Sequence, residues 1–240
     1  MSIWSRCLRA PFSPRVAVTL CLLAAGPPLF AQATGVKKRR PLPPEYGSTV
    51  MNALSEKNRV APVVFDHWLH RAKYTCRVCH VDLGFAMEAN ATGVKEDDNR
   101  KGYYCGACHN GKVAFGPQGQ KTIGGAEVAN CDRCHSQGKK VPREYDFASF
   151  TAGFARGRFG NNLDWEQTEK DGKMKLVDSL PGISIQRRPL QIPKDYDIQA
   201  KVETLPEIVF SHQKHAVWSG CELCHPDVFA VKRGESKFTM

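Results

Sequence analysis

Four copies of one five-residue pattern constrain this chain more than anything else in it. They are Cys76-Arg77-Val78-Cys79-His80, Cys105-Gly106-Ala107-Cys108-His109, Cys131-Asp132-Arg133-Cys134-His135 and Cys221-Glu222-Leu223-Cys224-His225. Cys-x-x-Cys-His is the attachment pattern of covalent c-type haem. Two thiols add to the two vinyl groups of one haem, and the adjacent His reaches the iron as its proximal ligand. Of the ten Cys, eight lie in these motifs, and only Cys7 and Cys21 do not. Zinc ribbons also use Cys-x-x-Cys pairs. A zinc site needs no His directly after the second Cys, yet all four motifs have one. A disulfide between Cys three apart would be strained and would leave the His unexplained. The motifs predict four covalently attached haem c groups (iron), held by Cys76, Cys79, Cys105, Cys108, Cys131, Cys134, Cys221 and Cys224. His80, His109, His135 and His225 are the proximal ligands.

The other four of the eight His form two pairs, His67 with His70 and His212 with His215. Residues three apart share one face of a helical turn, so each pair can reach two neighbouring haems. Four irons and four spare His predict bis-His ligation throughout. Methionine is the rival sixth ligand and would raise the potential. Met87 and Met240 are its candidates, and with the His count closed they read as haem-packing side chains.

The pairs belong to an internal repeat. Phe65-x-His67-x-x-His70, five residues, then Cys76-x-x-Cys79-His80 matches Phe210-x-His212-x-x-His215, five residues, then Cys221-x-x-Cys224-His225. Val63-Val64-Phe65 precedes the first copy and Ile208-Val209-Phe210 the second; Phe85 and Phe229 follow. On these residues, and on Tyr104 to Gly111, the chain resembles the class III multihaem cytochromes c, the c3/c7 group, and within it the c7-type trihaem repeats of metal-respiring bacteria. The resemblance implies that the first His of each pair ligates the haem just downstream: His67 with His80, His212 with His225. It implies that His70 serves the second or third haem and His215 the other. The third haem has no unassigned His in its own module, so His215 is expected to reach back to the haem of His135.

The N-terminus reads as a secretory signal peptide. Arg6, Arg9 and Arg15 form a basic region without acidic residues, Val16 to Phe30 is apolar, and Ala31-Gln32-Ala33 is a cleavage site. The apolar run is too short to span a membrane. Cleavage after Ala33 would leave 207 residues with 31 basic and 24 acidic side chains, and haem propionates offset that excess. Basic composition therefore does not argue for nucleic acid, and no nucleic-acid motif occurs. Lys37-Lys38-Arg39-Arg40 before Pro41-Leu42-Pro43-Pro44 reads as an extended solvated arm.

The expected organisation is a signal peptide (1–33), an extended N-terminal arm (34–60), a trihaem module (61–140), a haemless connector (141–205) and a truncated second module with the fourth haem (206–240). The expected fold class is mostly irregular, with short α-helices packed around covalently bound haems and little β. Short helices are expected within Tyr145 to Phe154 and from Trp165. Closed bis-His coordination leaves no open iron for a substrate. The chain therefore reads as an exported, periplasmic or extracellular electron-transfer protein rather than an enzyme. Its partners would be other cytochromes, a quinol oxidase or an outer-membrane conduit. The alternatives are a subunit of an extended cytochrome assembly and a multihaem reductase with one open iron.

Overall fold

Short elements joined by long loops follow from a chain with 20 Gly and 15 Pro among 240 residues. The computed structural model describes residues 39–187, 191–198, 208–232 and 235. The expected signal peptide, Lys37-Lys38 and Met240 lie outside them. Strand β1 (Ser48–Met51) leads into helix α1 (Ala53–Lys57). Strand β2 (Val63–Asp66) then runs directly into helix α2 (His67–Arg71), and a π-helical turn covers Val78–Asp82. Helix α3 (Glu96–Arg100) and a 3-10 turn (Tyr104–Ala107) follow. Then come β3 (Gln120–Ile123), β4 (Ala126–Ala129) and α4 (Asn130–Cys134). Helices α5 (Phe147–Phe150) and α6 (Trp165–Lys170) precede β5 (Tyr196–Ile198), β6 (Ile208–Phe210) and α7 (His212–Ser219).

The strands form three antiparallel pairs, β1 with β2, β3 with β4 and β5 with β6. Ser48 faces Asp66 in the first, Ile123 faces Ala126 in the second and Tyr196 faces Phe210 in the third. Gly124 and Gly125 make the tight turn of the second pair at φ 57° and 84°, the left-handed values that a two-residue hairpin loop requires. Within the expected arm (34–60), residues 48–51 form a strand. Val50 opposite Val64 and Thr49 opposite Phe65 draw residues 48–51 into a sheet with the first repeat.

The helix expected within Tyr145 to Phe154 shortens to Phe147–Phe150. Asp146 caps it by accepting from Ser149 N at 2.9 Å. The Thr151 hydroxyl then donates back to the Phe147 carbonyl at 2.8 Å, which competes with continued helix. Helix α6 starts at Trp165 as expected, capped by Asp164 at 2.9 Å from Gln167 N.

The side-chain core lies behind α2. Trp68, Phe147 and Leu163 are buried together, with Leu69, Phe150, Phe154 and Trp165 against them. Trp68 meets the Phe147 ring edge-on at 5.2 Å, the geometry the ring quadrupoles favour. Residues of the segment expected as a haemless connector thus supply five of these seven side chains.

Residues from Pro41 onward make one compact unit. The second repeat is fastened to the first through Arg71, whose guanidinium lies 4.2 Å from the Trp218 ring and 5.4 Å from the Trp165 ring. Trp218 also donates from Nε1 to Glu169 at 2.9 Å, and Lys214 pairs with Glu166 at 2.5 Å. Partly buried cation–π contacts contribute about 1–2 kcal/mol each. Trp218→Ala should therefore weaken attachment of residues 208–232 by about 2–4 kcal/mol, its lost packing included. Limited proteolysis in rising urea checks this: the variant should be cut in 208–232 well before the rest unfolds. An unchanged cleavage pattern would mean that other contacts hold the segment.

Candidate haem centre

Each attachment motif wraps about one turn, which sets two thiols and the following imidazole on one side of the backbone. The His109, His135 and His225 amides close this turn on the Cys105, Cys131 and Cys221 carbonyls at 2.8, 2.9 and 2.9 Å. The eight motif cysteines are free thiols, none in a disulfide. Among the described residues, no group of three or more His, Cys, Asp or Glu is arranged to hold a metal ion.

All eight imidazoles are oriented in the same way. His80 Nδ1 lies 2.9 Å from the Phe85 carbonyl, His109 3.0 Å from Phe115, His135 2.7 Å from Ala61 and His225 2.7 Å from Phe229. His67 Nδ1 lies 2.6 Å from the Gly47 carbonyl and His70 3.3 Å from Asp66. His212 Nδ1 lies 3.2 Å from Lys194 and His215 2.8 Å from Ser211. A carbonyl only accepts, so each Nδ1 carries the proton and donates. Each Nε2 then keeps its lone pair, the state a metal ligand needs. Burial pulls His70 down to about 4 and lowers His67 and His109, ahead of smaller effects from neighbouring groups. Neutral imidazole is thereby favoured at neutral pH.

Two of the expected distal–proximal pairs are brought together. The His67 and His80 rings are stacked with centroids 6.4 Å apart and planes 5° from parallel. His70 and His109 face at 6.2 Å and 48°. Iron–imidazole bonds of about 2.0 Å, as for other imidazole-bound metals, plus the distance from nitrogen to ring centre on each side, give about this separation. The ring that His70 faces is thus that of the second motif's His.

The second repeat reproduces the anchors of the first. Phe65 lies edge-on to His67 at 4.8 Å and against His70 at 4.4 Å; Phe210 lies edge-on to His212 at 5.0 Å and against His215 at 4.4 Å. Gly47 and Lys194 are equivalent too, each just ahead of the strand that pairs with the strand before the histidines. Among the described residues, however, no second imidazole faces His135 or His225. His215 is exposed, with its Nδ1 2.8 Å from the Ser211 carbonyl and its ring stacked on Phe210. Met87 is 67% exposed.

Contacts between motifs set their neighbours. Phe85, which holds His80, packs on Tyr104 at 5.3 Å. Tyr104 precedes Cys105 and sits at φ 49°, a sparsely populated conformation held here by its surroundings. Burial first, then the Cys108 and Cys105 thiols, push Cys79 up to about 12; burial and Cys134 push Cys105 up to about 11. Arg133 of the third motif lies 3.5 Å above the Phe115 ring, whose carbonyl holds His109. The fourth motif sits against the first. Arg187 joins Asp82 and Glu222, both at 3.1 Å, and a Cβ on Gly220 would lie 3.0 Å from Arg77 Cδ. Arg71 Nη1 and Arg187 Nη1 are buried without a partner, donors suited to a carboxylate such as a haem propionate.

Sequence reasoning missed Arg71, Arg187 and every carbonyl anchor. One signal was available: the repeat had already aligned Phe85 with Phe229, and their carbonyls hold His80 and His225.

Paired imidazoles with free Nε2 atoms, each beside a Cys-x-x-Cys turn, define a site for covalent haem. Comparison with known proteins agrees. The family of cytochrome c7 and related cytochromes c matches residues 63–136. A solved c7-type three-haem cytochrome domain is 36% identical, over 38% of this chain and 93% of its own, with a TM-score of 0.27. A solved C-terminal hexahaem fragment is 23% identical, over 80% of this chain and 77% of its own, with a TM-score of 0.28. Such TM-scores carry no argument from superposition, so the sequence match carries the assignment. No curated protein matches. This chain belongs to the c7-type multihaem cytochromes c, a family of electron-transport proteins.

Proposed function

We propose that this chain is an exported tetrahaem cytochrome that carries electrons between redox proteins and has no catalytic substrate site. The observation that carries this reading is the shared orientation of all eight imidazoles, each tied at Nδ1 to a backbone carbonyl. Once bound, each haem supplies an iron that changes charge by one electron, at a lower potential with two His than with His and Met. The chain supplies the rest. The eight motif thiols tether the groups, His80, His109, His135 and His225 take the proximal side, and His67, His70 and His212 take distal positions. Contacts around the motifs (Arg187 with Asp82 and Glu222, Phe85 with Tyr104, Arg133 with Phe115) support the order 221–225, 76–80, 105–109, 131–135. That sequence of neighbours is the proposed route. The partners are other extracytoplasmic redox proteins. The signal peptide supports export, and no described helix is long and apolar enough to cross a membrane.

The test is the intact mass of the purified holoprotein. It should equal the polypeptide without residues 1–33 plus four haems. Three haems, bound zinc, or a retained N-terminal segment would each overturn part of this reading.

A further inference from the structure

Phe115 and the third attachment motif meet at the proximal ligand of the second. The Phe115 carbonyl accepts from His109 Nδ1 at 3.0 Å, and its ring lies edge-on to the His109 ring at 4.5 Å and 71°. The guanidinium of Arg133 lies 3.5 Å from the centre of that same Phe115 ring. Arg133 stands between Cys131 and Cys134, the two thiols of the third motif. One side chain thus belongs to the third motif and covers the residue that anchors the second motif's His.

Arg133 is set in place from α4. Its Nη1 donates to Asn130 Oδ1 at 3.3 Å. Asn130, itself buried, donates through Nδ2 to the Gly116 and Gln118 carbonyls at 3.0 and 2.7 Å, so α4 grips the loop that follows Phe115. Arg133 also pairs with one oxygen of Glu144, and Lys121 takes the other. The Arg133 side chain is 10% exposed, and a bound haem can only add to that cover. A charge so enclosed is screened little by salt. Burial is the main cause that lowers His109; the Phe115 carbonyl opposes it, and Arg133 and then Lys73 add to the lowering. Lys73 differs from Arg133 in being exposed, 5.1 Å from the Tyr145 ring.

We propose that Arg133 is a positioning residue that raises the reduction potential of the second haem, acting through Phe115 on His109, and that Glu144 holds this effect in check. The proposal rests on the tetrahaem reading and deepens it: a residue in one haem's tether sets the electron affinity of its neighbour. Reduction removes one positive charge from the iron, so a nearby cation favours the reduced form. Glu144 is bonded to the guanidinium with the opposite charge and subtracts from it. The two ring contacts, followed by an imidazole–metal bond of about 2.0 Å, put the guanidinium within about 11 Å of an iron on His109. At an effective dielectric constant of about 20, one unit charge at that range shifts the one-electron equilibrium about tenfold. Tenfold corresponds to about 59 mV for one electron. The middle haem of the trihaem module thereby holds its electron more firmly than its ligands alone would make it.

The experiment is a redox titration of the holoprotein in which each low-spin haem is followed by electron paramagnetic resonance. The signal of the second haem is the one that His70→Ala removes. Arg133→Gln should lower the midpoint of that haem, by about tenfold in its equilibrium, and leave it low-spin. Glu144→Gln should raise the same midpoint. Arg133→Lys keeps the charge and loses the planar stack on Phe115, and it should recover most of the wild-type value. Lys73→Gln should have a smaller effect that fades at high salt, because Lys73 is exposed. Lost packing alone would move Arg133→Gln and Glu144→Gln in the same direction, or move Arg133→Lys as far as Arg133→Gln. Either result overturns the proposal. So does a midpoint unchanged in Arg133→Gln, or a shift spread evenly over all four haems. Fewer than four haems by intact mass of the wild type would instead mean that the tetrahaem reading has failed, so the two failures are separable.

Discussion

His70→Ala should turn the iron held by His109 high-spin while the iron held by His80 stays low-spin. The two distal histidines are separated by a single turn of α2: His67 faces His80 at 6.4 Å, and His70 faces His109 at 6.2 Å. His70 is half-buried, with Phe65 on one side and its Nδ1 on the Asp66 carbonyl. Removing it opens a cavity as well as a coordination position. The cavity alone should cost about 2–4 kcal/mol of stability. The reduced variant should bind carbon monoxide at one haem, and electron paramagnetic resonance of the oxidised form should show one new high-spin signal. His67→Ala is the control and should move the spectrum of the other iron. If both variants perturbed the same haem, or neither did, the assignment of His70 to the second motif would be wrong.

Gly106→Ala should be nearly as damaging, although it touches no ligand. A Cβ at this position would lie 1.9 Å from the Asn99 carbonyl oxygen and 2.7 Å from its carbon. The obstacle is backbone, so no rotamer change relieves it. Helix α3 would have to move away from the second attachment turn, and overpacking of this kind costs about 1–3 kcal/mol or more. The expected outcome is lower yield of holoprotein and a clear drop in thermal midpoint, with loss of haem at Cys105 and Cys108 in the purified fraction. Peptide mapping of haem-bearing fragments checks it. Gly102→Ala is a weaker probe: nothing lies within 4 Å of a Cβ there, and only its φ of 87° is at issue. Equal stability of the two variants would mean that α3 yields freely.

The attachment motifs and the two His pairs were legible because covalent chemistry and iron geometry demand fixed spacing. Cys-x-x-Cys-His tolerates no insertion, and His67 with His70 must share a helical face. The duplicated stretch around Phe65 and Phe210 was legible for the same reason. What escaped lies in long-range contacts that carry no local pattern. Residues 48–51 join the first repeat because their backbone pairs with 63–66, and the basic, Pro-rich run before them suggested an arm. Phe147, Phe150, Phe154, Leu163 and Trp165 form the core behind α2, although their segment holds no haem motif. Nothing local links Arg187 to Asp82, 105 residues earlier in the chain. Yet that contact, with Glu222, sets the fourth motif beside the first.

The carbonyl anchors bear on how such a protein can change over time. Gly47 and Lys194 do the same work for His67 and His212, and they share nothing but a main-chain oxygen. Any amino acid offers that oxygen, so side chains at these positions are free to drift without altering the tautomer of the ligand they hold. A side-chain carboxylate in the same place would tie the ligand to one residue type and would itself titrate; a peptide carbonyl does neither. The repeat could therefore be copied, and its surroundings rewritten, with the ligand chemistry passed on intact.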